Sequence, residues 1–202
     1  MPDDKTMVTG TQQFSTRTLL YCAVFAGLQT LLYLALSPTT ALLASIFPPG
    51  YAVAAGAYSC GMFAARLFIG RNGTATLTAA ITGVLIATVS PIGLVALIPM
   101  VIAGATFDVV LLWGRRRPPR RVMWTPVPAA LCSGIALFLV SLPAFSTDHL
   151  TLGVLTATLL GRAAGQVGAA LLSTVIIAAL SRAGVRAVQP LRGAPEGGTR
   201  AP

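Results

Sequence analysis

No charged residue occurs between Arg17 and Arg66, and none between Arg71 and Asp108. Two further gaps run from Arg121 to Asp148 and from Arg162 to Arg182. Uncharged stretches of this length constrain the fold more than any other feature of the chain. Hydrophobic residues make up 55% of the 202 residues and charged ones only 9%, against roughly 25% charge in a soluble domain. So few charges cannot cover a water-facing surface. The apolar content excludes disorder, and the lack of a glycine period excludes collagen. The chain reads as an all-α integral membrane protein.

A helix needs about 20 mostly apolar residues to cross about 30 Å of hydrocarbon. The first gap then holds spans near 18–36 and 51–69, and the second near 74–90 and 92–113. A fifth span covers about 127–145 and a sixth about 152–181. Between the first two lies Ser37-Pro38-Thr39-Thr40 through Phe47-Pro48-Pro49-Gly50. Proline interrupts a helix, so 37–50 is predicted to be a loop or a short re-entrant piece. Ser90-Pro91-Ile92-Gly93 predicts a tight turn.

The basic residues test this count. Lys5 and Arg17 precede the first span, and no basic residue follows it before the second. Arg66 and Arg71 flank the next connection, and the one around Pro91 has none. Arg115, Arg116, Arg117, Arg120 and Arg121 fill the fourth, between the interfacial aromatics Trp113 and Trp124. The fifth has Asp148 and His149, and the tail carries Arg182, Arg186, Arg192 and Arg200. By the positive-inside rule this alternation means six transmembrane helices with both termini cytoplasmic. The net charge of +9 is therefore a topology signal with no nucleic acid behind it. The arginine cluster is a topology anchor, or else a patch for anionic lipid or a partner. The division is a disordered N-terminus over 1–16, a membrane domain over 17–182 and a disordered basic tail over 183–202. The first apolar run has no small-residue cleavage site and reads as a retained span.

Absences narrow the chemistry. Lys5 is the only lysine, and no glycine-rich loop ends in Gly-Lys-Ser/Thr, so any ATP must be handled by another subunit. His149 has no second histidine to share a metal, and no nucleophile elbow or metalloprotease helix occurs. Cys22, Cys60 and Cys132 lie in apolar runs without disulfide or metal spacing. No enzyme, metal or cofactor is expected.

Asp108 is the one acidic residue within a span, about 10 Å along the helix from the arginine cluster. A carboxylate at membrane depth costs a few kcal/mol, so it should face the interior and meet a cation. That cation is a ligand, or Arg162, or a cytoplasmic arginine. Arg162, the only charge inside the last span, either snorkels outward or points inward. Gln29, Gln166, Tyr33, Tyr51 and Tyr58 are further polar handles on apolar helices, each able to join two helices and together suggesting a polar cavity. Small residues recur at helical spacing: Ala23 and Gly27, Ala55 and Ser59, then Gly161, Gly165 and Gly168. Such spacing brings helices close or offers a docking face.

This layout resembles an S component of an energy-coupling factor (ECF) transporter, the substrate-capture subunit of bacterial vitamin importers. The resemblance rests on Pro48-Pro49-Gly50-Tyr51 opening the second helix, with Gly56 after it, and on Gly104-Ala105-Thr106-Phe107-Asp108-Val109-Val110 before Arg115. It is strongest over 18–115 and is to the YkoE-type, thiamine-related group. It implies a small vitamin or precursor captured outside the cell, with thiamine or its hydroxymethylpyrimidine moiety favoured, among the outer halves of the last three helices. Asp108, Gln29, Tyr33, Tyr51, Tyr58, Arg162 and Gln166 would bind it beneath a lid over 37–50. Ala23 and Gly27 would meet the ECF transmembrane subunit, itself driven by two ATPase subunits in the bacterial cell membrane. The alternative is a membrane scaffold that binds no solute and keeps Asp108 paired with arginine; a channel or exporter is a third reading.

Overall fold

The computed structural model describes residues 14–90, 93–114, 126–144 and 151–185. Among these the chain is helical and contains no strand. In order it forms α1 (Thr16–Ile46), α2 (Pro48–Ala54), a 3-10 turn (Ala55–Ser59) and α3 (Cys60–Ile69). Then come α4 (Thr74–Val89), a 3-10 turn (Gly93–Ala96), α5 (Leu97–Gly114), α6 (Pro126–Ser141) and α7 (Leu152–Arg182). Because α2, its 3-10 turn and α3 run on as one segment, there are six. Four of them, Thr16–Ile46, Pro48–Ile69, Gly93–Gly114 and Leu152–Arg182, are long and apolar enough to cross a membrane. The Arg115–Arg121 cluster, Asp148, His149 and most of the expected tails lie outside the described residues.

The segments close into a ring in which α1 packs on α4, α4 on α5, α5 on α6 and α6 on α7, with α2 and α3 wedged between α7 and α1. Pro48–Ile69 is the innermost span, 72% buried against 17–28% for the other three, although its hydropathy is the lowest of the four. In lipid the outward faces are the most apolar ones, so a less apolar helix belongs inside. An aromatic cluster of Tyr21, Phe25 and Phe68 with Ile69, Ile177 and Leu180 ties α1, α3 and α7 together at the end where α1 begins and α7 ends. The arginines flanking α1, α3 and α7 lie at that end.

The expected loop over 37–50 is not a loop. Helix α1 continues through Pro38 to Ile46 and breaks only at Phe47. A proline inside a helix leaves the carbonyl four residues back without its backbone donor. Here that carbonyl, of Leu34, accepts the Ser37 hydroxyl at 3.2 Å. One turn on, Thr40 donates to the carbonyls of Leu36 and Ser37. Hydroxyls next to the proline thus keep α1 going, and Pro48 and Pro49 occupy the first turn of α2, where no backbone donor is needed.

The 3-10 turn at Ala55–Ser59 interrupts the innermost helix at membrane depth, where freed backbone groups must find partners inside the protein. Gln29 from α1 supplies two of them. Its amide donates to the Ala57 carbonyl at 3.3 Å, and its oxygen accepts the Gly61 N–H. From α7, Ser173 donates to the Cys60 carbonyl at 3.0 Å and Gln166 to the Ser59 hydroxyl at 2.9 Å. Gln29→Leu leaves one buried donor and one buried acceptor unmet, each costing about 1–3 kcal/mol. Thermal unfolding in detergent should show a clear drop for Gln29→Leu and little for Thr30→Val, whose hydroxyl only serves its own helix.

Candidate functional site

A cavity of about 540 Å³ opens between the segments at the end away from the flanking arginines. Helix α1 contributes Tyr33, and the kinked segment contributes Tyr51, Ala55, Tyr58, Ser59 and Met62. The first turns of α5 add Pro99, Met100 and Ala103, α6 adds Leu137 and Ser141, and α7 adds Arg162. Tyr51, Ala55, Tyr58 and Met62 follow each other at intervals of four, three and four residues, so they share one helical face. Tyr51 and Tyr58 carried a polar signal in the sequence, whereas α5 and α6 were expected at the site only from the family resemblance, which placed the solute among the last three helices.

The aromatic wall is braced. The rings of Tyr33 and Tyr58 lie 4.9 Å apart, and the Tyr58 and Thr40 hydroxyls are 2.6 Å apart. The Tyr33 hydroxyl reaches Ser90 at 3.5 Å, joining α1 to the end of α4. Arg162 lies with its guanidinium 5.3 Å from the Tyr51 ring centre, a cation–π contact. It therefore points inward to line the cavity.

Of the seven residues expected to contact a solute, Tyr33, Tyr51, Tyr58 and Arg162 meet in this cavity. Gln29 and Gln166 do not line it; both serve the kink that carries Tyr58 and Ser59. Asp108 is elsewhere. Five residues beyond Ala103, it sits about 7.5 Å further along α5. Phe63 and Phe107, stacked at 3.9 Å, are fully buried beside it and do not line the cavity. One Asp108 oxygen meets Arg66 Nε at 2.7 Å, and the other accepts both the backbone N–H and the hydroxyl of Thr76 at 2.9 Å. Thr76 lies in the first turn of α4, whose N–H groups have no partner within the helix and whose own cap residue, Gly73, offers no side chain. Asp108 thus caps α4 from a neighbouring helix, where a negative charge also suits the helix dipole. Arg66 in turn donates to Asn72 at 2.7 Å. A ligand could not reach this carboxylate without dismantling the network.

The small residues divide in the same way. Gly56, Gly161 and Gly165 are consumed inside the protein, where α2 and α7 meet backbone to backbone. On α1, Ala23 is exposed, and a side chain at Gly27 would meet nothing within 4 Å.

No family model matches this sequence, and no curated protein matches it. Among solved structures, one described as the crystal structure of an S-component of ECF transporter superposes with a TM-score of 0.76. The match covers 86% of this chain and 88% of that one at 20% identity. The fold of this chain is that of an ECF S component.

Proposed function

We propose that this protein is the solute-capturing S component of an ECF importer in a bacterial cell membrane. The observation that carries the reading is the cavity: about 540 Å³, lined by tyrosines, methionines and one arginine. Its size suits a small organic molecule, and its lining is the usual mixture of apolar walls and a few oriented polar groups. The positive-inside rule puts this end outside the cell, where an importer must receive its solute. With no nucleotide site in the sequence, the energy comes from partners, and the chain itself performs no catalysis.

The open Ala23–Gly27 face of α1 is the docking surface for the ECF transmembrane subunit. Gly27→Leu should leave folding and solute binding unchanged, since nothing adjoins the new side chain, while abolishing uptake in cells that carry the whole importer. Loss of binding together with uptake would refute this assignment. Uptake that persists when cells are depleted of ATP would instead favour a channel or exporter.

The scaffold alternative required Asp108 to be paired with arginine, and it is paired with Arg66. That reading does not account for the braced aromatic cavity. The expectation of thiamine came from the resemblance to the YkoE-type group; Asp108, the candidate counter-charge for a cationic solute, does not line the cavity, so the cavity's own charge has to select the solute.

A further inference from the structure

Resting on the cavity as the capture site, we propose that the solute is a small organic anion. Its carboxylate, or an equivalent oxyanion, is held by Arg162, and its apolar or aromatic body lies among Tyr33, Tyr51, Tyr58, Met62 and Met100.

The charge balance of the bundle points this way. Asp108 is the only acidic residue among the described ones, and it is committed to Arg66 and Thr76. Among the arginines of the described residues, Arg162 alone lines the cavity. Its Nε is buried and has no hydrogen-bond partner among the described residues. Tyr51 stabilises the guanidinium through its ring face but cannot neutralise it or accept its N–H groups in the plane. A guanidinium whose Nε is buried without a hydrogen-bond partner among the described residues is incompletely satisfied, and its planar fork matches a carboxylate by two parallel hydrogen bonds. An incoming carboxylate would satisfy both needs together.

The hydroxyl of Ser59, one of several lining the cavity, is compatible with this. Ser59 accepts a hydrogen bond from Gln166, so its own proton is free to donate. Ser141 spends its proton on the Phe138 carbonyl at 2.8 Å, so it offers the cavity only an acceptor oxygen at its rim. The cavity's one charge among the described residues is therefore positive, with hydroxyls beside it that can donate. A cationic solute would face Arg162 in a medium of low dielectric, where like charges repel strongly.

Matched acid and neutral pairs test this in the full-length protein, purified in detergent and titrated calorimetrically. The probes are nicotinate with nicotinamide, biotin with biotinamide, and pantothenate with pantothenol, with thiamine as the cation. At least one acid should bind, with its neutral partner weaker by tenfold or more. Arg162→Gln should erase that preference, and Arg162→Lys should keep part of it. Neutral or cationic probes binding as tightly as the acids would overturn the anion inference while leaving solute capture in place. A preference that survives Arg162→Gln would do the same. Displacement of the acid by added phosphatidylglycerol would assign Arg162 to a lipid headgroup and also overturn the inference. If protein with an intact thermal unfolding transition binds no probe at all, capture itself fails.

Discussion

Asp108→Ala should lose most of the folded protein, and whatever remains folded should bind solute as the wild type does. The substitution strands Arg66, which is 2% exposed, and removes the acceptor for the Thr76 N–H and hydroxyl. Removing one partner of a buried ion pair costs about 3–5 kcal/mol. Total stabilities are only about 5–15 kcal/mol, so the loss is a large share. Thermal unfolding in detergent reads the first effect, and calorimetry on the monodisperse fraction reads the second. Arg66→Met combined with Asp108→Leu should recover most of the stability, because an apolar pair of similar volume often replaces a buried ion pair without loss. The opposite result, normal unfolding with binding abolished, would move Asp108 into the solute site.

Gly165→Val should be as damaging for a different reason. A Cβ at Gly165 meets the carbonyl oxygens of Val53 and Ala52, the latter at 3.1 Å. One turn earlier, a Cβ at Gly161 meets the Pro49 carbonyl at 2.7 Å. These obstacles are backbone atoms, so no change of rotamer relieves them and α2 must move away from α7. Overpacking of this kind costs typically about 1–3 kcal/mol, and a backbone obstacle belongs at the top of that range. Because α2 carries Tyr51 and α7 carries Arg162, the same displacement should also abolish solute binding. Gly168→Val is the control: that position is exposed and a new side chain meets nothing within 4 Å, so unfolding and binding should match the wild type.

Both predictions concern residues whose importance was visible in the sequence and whose partners were not. An aspartate in an apolar span must meet a cation, but Arg66 and Arg162 were equally available as candidates until the helices were placed. Glycines at four-residue spacing on α7 announce a close approach without saying to what; the answer was α2, inside the same chain, whereas the Ala23–Gly27 spacing on α1 remains open to the outside. Gln29 and Gln166 were readable either as amides joining two helices or as solute contacts, because amides in apolar helices need partners. Their partners turned out to be the backbone and hydroxyl groups of the Ala55–Ser59 kink, a feature without a sequence signature, since Ala-Gly-Ala-Tyr-Ser is compatible with an unbroken helix.

What this sequence determined by itself is the number of helical segments and most of their limits, because length without charge is a one-dimensional property that is read along the chain. Four helix ends, at Thr74, Gly114, Leu152 and Arg182, fall within a residue of the limits drawn from charge and turn residues. The prolines of 37–50 were misread because their effect depends on which neighbouring hydroxyls reach the freed carbonyl, and Ser37 does. The cavity, the inward placement of Arg162 and the separation of Asp108 from it were decided only by tertiary structure. Each depends on which helix faces lie within about 3–4 Å of one another, the range in which hydrogen bonds and packing act. Helix spacing along the chain does not encode that rotation and pairing.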